Sequence, residues 1–157
     1  MKKLILLAGL YCMQPAIHAA SLSPSVKNHV APVSASDRAK AHFRENFSDI
    51  QDPAWYHAPD NSLYCIFHQG NKVNRVFYDG KGYWQYTLIS YPVSSLKSNV
   101  KEMVSSQFKD YQISYINEIR SDYAEPVYVI NLENKNDIKV IKVAGDEIDL
   151  KQDLKKE

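Results

Sequence analysis

A helical stripe of apolar residues followed by strand-like segments occurs twice in this chain, and that duplication limits the possible folds more than any single motif. Ala39, Phe43, Phe47, Ile50 and Trp55 recur with identical spacing as Val100, Val104, Phe108, Tyr111 and Ile116, at an offset of 61. Spacings of three and four residues put each apolar set on one side of an amphipathic helix. The correspondence continues downstream. Tyr64 and Ile66 answer Tyr128 and Ile130 at an offset of 64, and Val73, Val76, Tyr78 and Gly80 answer Ile138, Ile141, Val143 and Gly145 at 65. The drift falls in loops, where insertions cost little.

Each helical stripe leads into short segments rich in aromatic and β-branched residues. Ser36 is a natural N-cap for the first helix. Beyond it, Leu63–His68, Val73–Tyr78 and Tyr83–Ile89 are separated by glycine-containing turns, as in an antiparallel meander. The second stripe, Leu96, Val100, Met103, Val104 and Phe108, precedes strand candidates at Ile113–Ile119, Val127–Leu132 and Ile138–Val143, with a short edge near Ile148–Leu150. The expectation is an α+β domain over 36–157, in two units spanning about 36–91 and 92–151.

The N-terminus reads as an export signal. Lys2 and Lys3 precede the apolar run Leu4–Leu10, too short to span a bilayer, and Ala19 ends a small-residue exit suited to cleavage. Residues 1–19 are therefore expected to be removed, with 20–35, rich in Ser, Pro and Ala, serving as a flexible linker. Tyr11 stands where a lipid-anchored Cys12 would want a small residue. The expected location is periplasmic or secreted. Removing the signal leaves Cys65 as the one cysteine, so no internal disulfide is available and stability must come from the core.

Charge excludes further classes. The 157 residues carry 19 Lys and Arg against 18 Asp and Glu, and loss of Lys2 and Lys3 leaves 17 basic residues. No cationic surplus marks a nucleic-acid footprint, and no later segment is apolar enough to cross a membrane. Common hydrolase, nucleotide and redox motifs are missing, so no cofactor and no catalytic residue is expected. His57 and His68 could approach each other but lack a third ligand; His42 reads as a helix-edge side chain. The acidic group Asp146, Glu147 and Asp149 follows Gly145 rather than enclosing a central glycine, unlike a calcium loop. Cys65 reads as a small buried hydrophobe.

Positions apolar in both units should face the helices, which assigns Tyr64, Ile66, Val76 and Tyr78 to the packed side. A three-residue loop at Gln69–Asn71 would set Tyr64 against Val76, and a two-residue loop at Gly80 and Lys81 would set Phe77 against Trp84. The other face would then carry Cys65 with Phe67, Arg75, Phe77, Trp84 and Tyr86, the last five forming a candidate partner-binding surface. A slip of one residue would exchange the faces and make Phe77, Trp84 and Tyr86 core.

Over Phe47 to Lys151 the chain resembles the PepSY-like, or β-lactamase-inhibitor-like, proteins of bacterial envelopes. The resemblance is carried by Trp55-Tyr56, Tyr64-Cys65-Ile66-Phe67, Val76-Phe77-Tyr78-Asp79-x-Lys81-Gly82-x-Trp84, Phe108-x-Asp110-Tyr111-x-Ile113 and Val127-Tyr128-Val129-Ile130. It implies two tandem α-β-β-β repeats forming one curved antiparallel sheet, with two helices packed on one face and an open concave face. The start of the second helix departs from the family, with Pro92-Val93-Ser94-Ser95-Leu96 replacing a Leu-Pro pair. The functional expectation is an exported, non-enzymatic module that recognises a protein or peptide of the envelope through the open face. The rival expectation is a structural protein that closes this face by homodimerisation.

Overall fold

Ser36 caps helix α1, Asp37–Asn46, its hydroxyl accepting from the Ala39 amide at 3.3 Å. A computed structural model describes residues 36–156, so the expected signal and linker lie outside the described residues. Four strands follow α1: β1 (Ala54–His57), β2 (Leu63–Gln69), β3 (Lys72–Tyr78) and β4 (Trp84–Tyr91). After a 3-10 turn at Val93–Ser95 comes helix α2 (Ser98–Gln107), and then β5 (Gln112–Ser121), β6 (Ala124–Glu133), β7 (Asp137–Ala144) and β8 (Glu147–Lys155). All eight strands pair antiparallel with their chain neighbours in a single sheet, in the order β1 to β8. The fold is α+β, and each unit is one strand longer than the three expected, through β1 and a full-length β8.

The duplication is visible in the backbone. Both helices end on a phenylalanine whose amide donates back four residues, Phe47 to Phe43 O and Phe108 to Val104 O. Three residues later both units close a tighter turn, with Ile50 N donating to Phe47 O and Tyr111 N to Phe108 O. Ala39 and Phe43 of α1 pack on Leu63, Cys65, Phe67, Val76 and Tyr78. Val100 and Val104 of α2 pack on Ile116, Tyr128, Ile130, Ile141 and Val143. Alternation along β3 and the pairing Asn74↔Ile89 put Val76 and Ile89 on the same side, so both helices cover one face.

The hairpin between β2 and β3 is one residue tighter than expected. Gln69 pairs with Lys72 around a two-residue turn whose first position, Gly70, has φ +61°, the glycine-first pattern of a II′ hairpin. Cys65 therefore faces Val76, and Tyr64 faces Phe77. That single step exchanges the faces of β2. Leu63, Cys65 and Phe67 are buried beneath α1, whereas Tyr64 and Ile66 emerge on the open side. At the next turn Asp79 Oδ1 accepts from the amides of Lys81 and Tyr83, both at 2.9 Å. Gln85 is then an extra residue in β4: Tyr78 pairs with Trp84 but Phe77 with Tyr86.

Candidate binding surface

The tighter β2–β3 hairpin and the bulge at Gln85 together split the five candidate residues. Phe67 and Trp84 are corrected to the helix side. Phe67 is 5% exposed and its ring meets Phe43 and Phe47, while Trp84 stacks on His42 with centroids 5.5 Å apart. Arg75, Phe77 and Tyr86 stand on the face that neither helix covers. Cys65 is also corrected inward, and burial raises its thiol pKa to about 12, which keeps it protonated and unreactive.

Phe77 and Tyr86 belong to a longer row that alternation in the sequence does not reveal. Tyr56, Tyr64, Phe77 and Tyr86 lie directly opposite one another across β1, β2, β3 and β4. Their rings stack in series, with centroid separations of 5.1, 5.6 and 4.5 Å and interplanar angles of 18°, 25° and 22°. Offset stacks of this kind are worth roughly 0.5–1.5 kcal/mol per pair beyond the area they bury. All four rings are half-buried by one another. The signal that could have found Tyr56 and Tyr64 was the glycine-first hairpin at Gly70, which fixes the register of β2.

Beside this row runs an aliphatic one. Ile66, Arg75, Leu88, Ile119 and Val127 are successive partners from β2 to β6. Arg75 is tethered within the sheet, its Nη1 donating to Ser90 Oγ at 3.4 Å while Ser90 donates to Asn117 Oδ1 at 2.7 Å. Among the described residues nothing lies over these rows. An antiparallel sheet with one covered face ordinarily alternates apolar inward with polar outward, so two adjoining apolar rows on the uncovered face are a departure.

The chemistry elsewhere is sparse. His57 pairs with Leu63 and His68 lies five residues further along β2, about 17 Å away at strand rise, so the two histidines do not converge. Among the described residues no group of three or more His, Cys, Asp and Glu is placed to hold a metal. Asp146, Glu147 and Asp149 lie exposed at the β7–β8 turn, with Asp149 accepting from Lys151 at 3.3 Å. Among the described residues Glu118 is the most deeply placed carboxylate, 3% exposed, accepting from Tyr91 and from Arg120 at 2.6 Å each. Burial works to raise its pKa, but the bonds from Arg120 and Tyr91 and the charges of Arg120 and Lys97 outweigh it, leaving the carboxyl below its ordinary value. No helix among the described residues is long and apolar enough to cross a membrane.

No family profile matches this sequence, and a search of curated proteins finds no match. Solved structures do match. A DUF2874 family protein from Bacteroides ovatus superposes with a TM-score of 0.65 at 12% identity, covering 78% of this chain and 89% of that one. A proposed periplasmic protein from Bacteroides eggerthii gives 0.62 at 11% identity, covering 78% and 90%. A BLIP-like protein from Bacteroides fragilis gives 0.63 at 10% identity, covering 78% and 87%. At such identities the likeness is one of fold, and the fold of this chain is BLIP-like, that is, β-lactamase-inhibitor-like.

Proposed function

We propose that the chain is an exported, non-enzymatic binding module that recognises a protein or peptide of the bacterial envelope through the uncovered face of its sheet. The observation that carries this reading is the stacked row Tyr56, Tyr64, Phe77 and Tyr86 on a face where solvent-facing polar residues would be usual. Rings already stacked on each other lose little side-chain entropy when a partner covers them, and three of the four keep a hydroxyl for hydrogen bonding. Arg75, anchored through Ser90, supplies a fixed cation beside the row. The periplasmic location rests on the N-terminal signal pattern and on the description of one structural neighbour. Kinship with PepSY-like proteins rests on the residue patterns alone.

A second reading is favoured by the aliphatic row. Leu88, Ile119 and Val127 extend the apolar surface toward β6, so a second copy related by a two-fold axis could set its aliphatic half against the aromatic half of the first. One experiment separates these. A photo-crosslinking residue placed at Tyr86 in cells should capture an envelope protein, while the same residue at Tyr123, 96% exposed at the β5–β6 turn, should not. A product of twice the chain mass at position 86 would establish self-association instead. The double variant Phe77→Ser/Tyr86→Ser should keep its melting transition and lose capture from position 64. If both positions capture nothing in cells making the protein at its native level, the face is not a docking surface.

A further inference from the structure

The other face holds a cleft of about 320 Å³ where the two units meet. It opens along the seam because each helix covers the core of its own unit. The seam strands carry buried polar side chains between the cores, namely Asn74, Thr87 and Glu118. Thr87 accepts from the Trp84 indole at 3.1 Å, and Glu118 is held by Tyr91 and Arg120. Asn74 differs. Its side chain is 3% exposed and lines the cleft, and its Nδ2 has no hydrogen-bond partner. A buried donor without an acceptor is costly to the fold, and such groups mark places where something else completes the bond.

The surroundings narrow what that is. Trp84, backed by the stacked His42, presents an aromatic wall, and Phe47 and Ile89 add apolar surface. Burial lowers the pKa of His42 against the opposing charges of Asp122 and Glu45. Lys72 and Arg120 bring positive charge to the lining. Arg120 commits its Nε to Glu118, which leaves its terminal N–H groups for another acceptor. Asp122 also lines the cleft, so a ligand with two negative charges is disfavoured there. At about 30 Å³ per water-sized group the volume admits about ten non-hydrogen atoms.

We propose that this cleft binds a small monocarboxylate with a flat apolar body. The carboxylate accepts from the Asn74 amide and from Arg120, near Lys72, and the body lies against Trp84 and Phe47. This proposal is independent of the open face, which lies across the sheet.

The test uses phenylacetate, its neutral amide phenylacetamide, and inorganic phosphate, followed by 15N–1H spectra of the full domain. Phenylacetate at about 1 mM should move the Trp84 indole signal and the Asn74 side-chain amide, the two tryptophans being told apart by Trp55→Phe. Phenylacetamide should bind about tenfold more weakly, and phosphate should leave both signals in place. Arg120→Gln should weaken phenylacetate about tenfold, and Asn74→Leu should abolish its binding while retaining a cooperative melting transition. The Phe77→Ser/Tyr86→Ser variant should bind phenylacetate unchanged. Unmoved Trp84 and Asn74 signals, equal binding of the amide, or shifts confined to Tyr86 and its neighbours would each overturn the proposal.

Discussion

Asn74 and Glu118 occupy the same buried seam with opposite hydrogen-bond fortunes, and that contrast makes two predictions at the scale of single residues. Leucine has the same branched outline as asparagine but more bulk, which the adjoining cleft can take up, and it brings no polar atom, so Asn74→Leu removes an unpaired donor without opening a cavity. It should stabilise the chain by about 1–3 kcal/mol, read as a higher urea midpoint at an unchanged slope. A lower midpoint would mean that the amide is satisfied in solution. Glu118→Gln should destabilise by about 1–3 kcal/mol at neutral pH, because a neutral amide holds Arg120 and Tyr91 less firmly. The pH dependence follows from the depressed carboxyl pKa. The Glu118 contribution is complete above the ordinary value of 4.5 and is lost as pH falls through that value toward the lower pKa of the folded state. The gap in urea midpoint between the wild type and Glu118→Gln should therefore narrow on acidification from pH 6 to about pH 3, and a gap that widens would contradict the ion pairing with Arg120.

At the scale of elements, the turns decide which side chains each face receives. The helical stripes were legible because Phe43 and Val104, or Phe47 and Phe108, are separated by the same 61 residues and play the same parts in α1 and α2. In β2 the units align at 65, not 64: Cys65 corresponds to Ile130, each pairing forward with Val76 and Ile141. Matching Tyr64 to Tyr128 by residue type exchanged the faces, since a strand repeats every two residues. Tyr128 is core, whereas Tyr64 is not. The bulge at Gln85 left no signal in the apolar pattern, because an aromatic residue suits both sides of this sheet. An uncovered face that resembles a core is hard to read from alternation for this reason. Turn glycines test the same point. Gly82, at φ +83°, lies against the N-terminus of α1, where an added Cβ would overlap Ser36 Oγ and come within 3.2 Å of the Ala39 amide. Gly82→Ala should cost about 3 kcal/mol or more, combining left-handed strain with displacement of the helix cap. Gly145→Ala, with φ +58° and open space around the added atom, should cost only about 1–2 kcal/mol. Equal melting temperatures for the two variants would show that the β3–β4 loop does not brace α1.

At the scale of the whole molecule, the chain has two halves of one topology and unequal substance. The second core buries Tyr91, Ile116, Tyr128, Ile130, Leu132, Ile141 and further side chains between α2 and long strands. The first is smaller, depends on aromatic edges such as Phe43 against Trp55, and ends at the four-residue β1. Between them the helix side of the seam is polar and holds the cleft, so apolar burial does not run continuously from one core to the other. Coupling falls to the β4–β5 ladder and to contacts such as Asn71 Nδ2 donating to Ser95 Oγ at 3.2 Å. Opening free energy tracks the apolar surface that each region buries, so the halves should not open together. Native-state hydrogen exchange should show the amides of β2 and β3 exchanging through a sub-global opening about 1–3 kcal/mol below that of β6 and β7. Phe43→Ala should lower the first set while leaving the second nearly unchanged, because β6 and β7 keep every contact to α2 when α1 loosens. Uniform exchange across all eight strands, with Phe43→Ala lowering β7 as much as β3, would instead mean that the polar seam transmits stability as well as an apolar one.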